Sequence, residues 1–92
     1  MQVKVMDYGF SRKSGKYYVV YKIGDIDKET RGKLKERIID KLEDKSGSLY
    51  LTIYFDKDYF PFKSEEARLR TADFVAREEI EMLAYLISIL ED

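Results

Sequence analysis

The chain has 92 residues, with 17 basic and 18 acidic side chains and a formal net charge of −1, and it contains neither His nor Cys. We predict one domain over residues 1–92, because chains of this length rarely hold more than a single core. The missing Cys excludes disulfides and zinc–thiolate sites, and the missing His removes the usual general base near neutral pH.

The amino-terminal part of the sequence predicts a β-hairpin. Residues 2–10 and 16–24 alternate in strand fashion, and a polar turn that ends at Gly15 joins them. The alternation is irregular at Met6–Asp7, and Gly9 is a candidate bulge position. In the second strand the odd-numbered side chains are expected to face the core.

A helix is predicted to follow the hairpin. Asp27 is a suitable N-cap, and Leu34, Ile38 and Leu42 recur at helical spacing to form one narrow apolar face. Ser46–Gly47 is predicted to end this helix, with Gly47 in the left-handed conformation. A third strand over residues 48–56 comes next.

A long helix over residues 65 to about 90 is predicted to end the chain. The order β-β-α-β-α indicates an α+β fold: a small three-stranded sheet with two helices packed on one face. Nothing in the sequence resembles a membrane span or a signal peptide, so a cytoplasmic location is expected. The many charged residues, together with the lack of Asn and Cys, are typical of proteins from hot environments.

The last helix is apolar on nearly every side over residues 80–90, although Ile80 and Leu83 belong to its predicted core face. Such a helix must be covered on every side, and a three-stranded sheet is too small to do so. We therefore predict a homo-oligomer or docking onto another protein subunit. The alternative is a helix broken near residues 71–73, whose second half folds into its own core.

The loop before this helix carries three aromatic residues around Pro61, which either plug the core or insert into a partner. The predicted partner-binding residues combine this loop with the helix: Tyr59, Phe60, Phe62, Met82, Tyr85, Leu86 and Ile89.

The outward face of the sheet supports an alternative function. Tyrosines flanked by lysines on an open sheet are typical of surfaces that bind single-stranded nucleic acid. The residues of this alternative are Lys4, Arg12, Lys13, Lys16, Tyr18, Lys22, Tyr50 and Tyr54. Plain solvation of this face, or its burial against another subunit, are the competing interpretations.

Charge is distributed unevenly along the chain. Residues 1–24 carry five basic side chains and one acidic side chain, whereas residues 64–92 carry three basic and eight acidic ones. The acidic end allows a second alternative, a small inhibitor protein that acts through its acidic helix. The sequence has no Gly-rich phosphate loop and no set of catalytic residues, so we predict no enzyme activity, cofactor, metal site or small-molecule substrate. The main prediction is a protein–protein interaction domain.

Overall fold

The computed structural model describes residues 1–56 and 71–91, so the predicted loop contacts Tyr59, Phe60 and Phe62 lie outside the described residues. Within them, the elements are β1 (Gln2–Ser11), β2 (Lys16–Gly24), α1 (Lys28–Arg37), β3 (Lys41–Lys45), β4 (Ser48–Phe55) and α2 (Thr71–Glu91). The strands form one antiparallel sheet in the order β1-β2-β4-β3. The α+β class and the long C-terminal helix are confirmed, whereas the prediction of three strands is wrong.

The two central strands follow the predicted alternation. Tyr21 of β2 lies opposite Leu51 of β4, and Ile23 lies opposite Leu49, so these side chains share one face of the sheet. All four are fully or almost fully buried. The odd-numbered residues of β2 and β4 therefore face the core, because side chains alternate between the two faces of a strand.

The irregularity in β1 is a bulge at Met6. The pairing with β2 shifts between Val5 and Asp7, which leaves Met6 as the extra residue, while Gly9 pairs in regular register with Tyr18. The break in alternation at Met6–Asp7 was thus the informative signal, and Gly9 is not the bulge. An extra residue reverses which face each later side chain of the strand occupies.

The helix α1 begins where the sequence predicted and ends earlier. The Asp27 carboxylate accepts the Thr30 backbone N–H at 2.7 Å, which confirms the N-cap, and this bond lowers the pKa of the Asp27 side chain. The helix ends at Arg37, and Ile38 has an extended backbone with φ −87° and ψ 124°. The predicted continuation of the helix to Ser46–Gly47 is therefore wrong.

The end of that predicted helix is the strand β3. Leu42, predicted on the helix face, pairs with Leu51 across the sheet. Ser46 and Gly47 both have positive φ, 52° and 82°, as the central residues of a type I′ hairpin turn require. The left-handed Gly47 is confirmed, but it joins two strands and does not cap a helix.

Replacing Gly47 by Ala is expected to lower the free energy of unfolding by about 1–2 kcal/mol, because L-residues are strained at positive φ. The matched control is Gly32→Ala in α1, where an added Cβ meets no atom within 4 Å. That variant is expected to gain about 0.5–1 kcal/mol, since Ala favours the helix over Gly. Urea denaturation of both variants checks the pair; equal effects would contradict the turn assignment.

Both helices pack on the same face of the sheet. Leu34 of α1 and Leu86 of α2 are each 0% exposed and join the inward side chains of the strands in one core cluster. The helix α2 is continuous over 21 residues, which corresponds to about 31 Å. No helix among residues 1–56 and 71–91 combines the length and apolar character needed to cross a membrane.

Candidate functional site

The face that α2 turns to the core agrees only in part with the predicted one: Leu83 packs against the core cluster as expected, whereas Ile80 does not. Phe74, Met82 and Leu86 are buried, with at most 8% of each side chain exposed. Ile80, predicted in the core, is 70% exposed. Met82 and Leu86 therefore form part of the core of the chain itself, so they do not provide the exposed contacts that the partner-binding prediction required.

Two acidic side chains fix this rotation of α2. The Tyr21 hydroxyl donates to a Glu78 carboxylate oxygen at 2.8 Å, and the Val5 backbone N–H donates to Glu79 at 2.9 Å. Because β1 is an edge strand, N–H groups on its free side lack a strand partner, and Glu79 satisfies one of them. Both acidic side chains therefore bond to the sheet and not only to solvent.

The burial of Tyr21 and its bond to Glu78 make the fold less stable as the pH becomes alkaline. Burial, and next the hydrogen bond to Glu78, raise the pKa of Tyr21 far above its ordinary value. The folded chain thus holds this proton more tightly than the unfolded chain, whose tyrosine pKa is about 10. The stabilising contribution is complete below that pH and decreases above it, by up to about 1.4 kcal/mol per pH unit.

The corresponding experiment compares urea denaturation at pH 8 and pH 11 for the wild type and Tyr21→Phe. The wild type is expected to lose more stability between the two pH values than Tyr21→Phe does. Tyr54→Phe serves as the control because Tyr54 is 45% exposed, and it should keep the wild-type dependence. Equal losses in the wild type and Tyr21→Phe would contradict this account.

An apolar stripe runs along one flank of α2. We call the following residues the outer stripe: Ala76, Ile80, Leu83, Ile87 and Leu90. Their spacing alternates between four and three residues, which is the seam of a two-helix coiled coil. Ile80 is 70% and Ile87 44% exposed, Ala76 is exposed, and the two leucines are partly buried. Leu83 and Leu90 also pack against the core cluster, so the outer stripe lies on the flank of α2 between the core and the solvent. Its exposed part, around Ile80 and Ile87, is apolar and is not covered by the described residues.

Two charged residues and an alanine border the outer stripe along one side. Arg77, Ala84 and Glu91 follow Ala76, Leu83 and Leu90 directly in the sequence, so they lie along the same flank of the helix. All three are exposed. Within the described part of the chain, the side chains of Arg77 and Glu91 form neither a hydrogen bond nor an ion pair. One flank of the stripe thus carries a free cation near one end and a free anion at the other.

The two remaining predicted helix contacts, Tyr85 and Ile89, differ in exposure. Tyr85 is 46% exposed and faces a cavity of about 260 Å³ that also reaches Phe55 and Glu81. Ile89 packs against the core, and its carbonyl accepts a hydrogen bond from Arg37 at 2.6 Å. This bond ties the end of α2 to α1. Only Tyr85 of the predicted helix contacts is widely exposed.

The outward sheet face brings together most residues of the nucleic-acid alternative. Tyr18 lies opposite Tyr54, and Lys22 lies between Lys4 and Tyr50 in the paired strands. The other three predicted residues belong to the hairpin end, where Arg12 and Lys13 lie in the exposed turn and Lys16 begins β2. Three tyrosines and two lysines therefore share one face.

Two of these side chains are already engaged. The Tyr18 hydroxyl donates to Asp7 at 3.2 Å, and this bond raises the pKa of Tyr18. The Tyr18 ring lies over Gly9, where an added Cβ would come within 3.2 Å of the hydroxyl oxygen. The Lys16 Nζ atom lies 4.0 Å from the Asp56 Oδ1 atom. Tyr18 is thus held against its own strand pair, which leaves Tyr50 and Tyr54 as the freer rings.

The described residues offer little for metal chemistry. Asp40, Glu78 and Glu81 line the cavity beside Tyr85, but no group of three or more His, Cys, Asp or Glu in the described ranges is arranged to hold a metal ion. Glu78 is bonded to Tyr21. The exposed surface of α2 and the outward sheet face are therefore the two surfaces that a function can be argued from.

Comparison with known proteins adds the family but no activity. No curated protein matches the sequence. A family model matches residues 2–92, so the match includes the whole of α2 and all four strands. On this match, the chain belongs to a family that is described as Family of unknown function (DUF5750).

Proposed function

We propose that this chain is a non-enzymatic protein–protein interaction domain, either a homodimer or an accessory subunit, that associates through the outer stripe of α2. The observation that carries the proposal is the exposure of Ile80 and Ile87 at coiled-coil spacing. Full burial of an Ile side chain contributes about 1.5–3 kcal/mol, so two of them supply a substantial driving force. The absence of His and Cys supports a binding role over catalysis.

Several contacts anchor α2 to the rest of the chain, and this favours association through its outer stripe. Leu86 anchors α2 in the core, Glu78 and Glu79 bond to two strands, and Arg37 bonds to the end of the helix. A surface that is ordered before binding loses less conformational entropy when it associates. The outer stripe can therefore bind a partner with little loss of conformational entropy in α2.

The sheet edges are less suited to association. On β1, Glu79 occupies the backbone N–H of Val5. The opposite edge, β3, reads Lys-Leu-Glu-Asp-Lys, and Lys41 and Lys45 both approach Glu43. Charged short edge strands disfavour pairing with another chain. Association by edge-strand pairing is therefore not part of the proposal.

Thermal unfolding at several protein concentrations tests the proposal. If two chains associate in the native state, a hundredfold rise in concentration stabilises the assembly by about 2.7 kcal/mol, and the unfolding temperature rises by several degrees. Ile80→Glu should remove this dependence. An unfolding temperature that is independent of concentration in the wild type would contradict self-association.

A second candidate function is binding of single-stranded nucleic acid by the outward sheet face. The arrangement of Lys4 and Lys22 beside Tyr50 supports it, because a stacked base contributes about 1–3 kcal/mol and nearby lysines neutralise phosphates. Labelled single-stranded RNA and DNA at two salt concentrations provide the test. Binding should weaken with salt and be lost in Tyr50→Ala; no binding at low salt would remove this candidate.

The location and the source of the chain are predicted from the sequence alone. A cytoplasmic location and an origin from a hot environment are compatible with the sequence. The inhibitor alternative is weakened, because Glu78 and Glu79 are bonded within the chain and do not contribute freely to an acidic surface.

A further inference from the structure

We infer that the partner of the outer stripe is a second copy of this chain, and that the two α2 helices pair antiparallel about a two-fold axis near Ala84. In this arrangement Arg77 of each copy lies beside Glu91 of the other. The inference rests on the proposed function and adds to it the identity of the partner and the orientation of the two helices.

The apolar residues of the outer stripe match one another in this orientation. With the axis at Ala84–Tyr85, Ile80 of one helix packs against Leu90 of the other, and Leu83 packs against Ile87. Each contact occurs twice, because a two-fold axis makes the interface isologous. All four layers are then apolar, as the seam of a coiled coil requires.

The charges on the flank favour the antiparallel orientation. Arg77, Ala84 and Glu91 are spaced seven residues apart, so they recur on the same side of the seam. Reversal of one helix brings Arg77 beside Glu91 at both ends and places Ala84 beside its own copy, where a small side chain permits close approach. Both charged residues are exposed and have no ion pair among the described residues.

A parallel pair lacks these advantages. It would place residues of the same number at the same height, so that Glu91 would lie level with Glu91. The opposite flank of the seam offers Glu79, which is bonded to Val5, and Leu86, which is in the core. The parallel pair would also align the two helix dipoles unfavourably.

The same charge pattern favours a second copy over an unrelated protein. A single helix carries both members of the ion pair, on the same flank and at the two ends of the stripe. A two-fold axis therefore uses each charge and leaves none unmatched across the interface. Self-complementarity of this kind is what an isologous dimer requires.

Charge exchange between the two positions tests the orientation. Arg77→Glu and Glu91→Arg are each expected to weaken self-association about tenfold, because two attractive contacts become repulsive. An equimolar mixture of the two variants should form heterodimers as tightly as the wild type forms homodimers, since opposite charges then meet at both ends. Native mass spectrometry resolves the heterodimer, and sedimentation velocity gives its affinity.

Glu81→Arg is the matched control, because it makes the same charge change on an exposed part of α2 away from the stripe. It should leave association unchanged. If the mixture remains as weak as the single variants while the wild type dimerises, the antiparallel orientation is wrong and the proposed function stands. If the wild type stays monomeric, the inference that the partner is a second copy is overturned, and with it the homodimer form of the proposed function.

Discussion

The double variant Ile80→Glu/Ile87→Glu is expected to be folded and monomeric under conditions where the wild type is a dimer. Both side chains are exposed in the isolated chain, 70% and 44%, so glutamate at these positions is solvated and leaves the core intact. In the proposed dimer the same positions lie in the apolar seam. Loss of two buried Ile side chains removes about 3–6 kcal/mol, which weakens association at least a hundredfold.

A control with the same chemical change comes from the segment that follows α1. Ile39 follows the end of that helix and is 97% exposed. Ile39→Glu should therefore leave both the fold and the association unchanged. Circular dichroism checks the fold, and light scattering gives the mass. A double variant that unfolds would place Ile80 or Ile87 in the core; a double variant that still dimerises would place the interface elsewhere.

Leu86→Glu is expected to unfold the chain, although Leu86 is adjacent to Ile87 in the same helix. Leu86 is 0% exposed and packs in the core cluster. A glutamate there would bury a charged carboxylate among apolar side chains, which is costly. The milder Leu86→Ala should lower the free energy of unfolding by about 2–5 kcal/mol through the cavity it leaves. Ile87→Glu is the neighbouring control, and it should fold.

Urea denaturation at low protein concentration, where the chain is monomeric, measures these differences. Leu86→Ala with less than about 1 kcal/mol of destabilisation would contradict the core position. In that case the sequence-based prediction of Leu86 as a partner contact would regain support. A folded Leu86→Glu variant would lead to the same conclusion.

Three of the four strands and the start of α1 could be predicted because their sequence patterns are local. β2 and β4 alternate tightly, and Asp27 is a strong cap for α1. The strand β3 was missed because its five residues include only Leu42 as an apolar residue, and Leu42 also fits the helical spacing set by Leu34 and Ile38. The Ser46–Gly47 pair, which was interpreted as the end of a helix, is the signal from which a hairpin could have been predicted.

The rotation of α2 could not be predicted from the helix alone. A helix that is apolar on nearly all sides gives no reliable inner face, and the prediction chose Ile80 over Met82. The structure decides through contacts distant in sequence: Glu78 with Tyr21, and Glu79 with Val5. These bonds bring acidic residues inward and turn apolar ones outward. The sequence and the structure thus both lead to a proposed interface on α2, but three of the four helix contacts predicted from the sequence, Met82, Leu86 and Ile89, lie in or against the core.

Sedimentation equilibrium of the wild-type chain tests most directly whether the outer stripe of α2 is an interface between copies. Over a range from about 1 μM to about 100 μM protein, mass action should shift the population towards the associated form. The account predicts that the weight-average mass rises towards twice the 10.9 kDa of one chain. A mass that remains at 10.9 kDa across the whole range would contradict it.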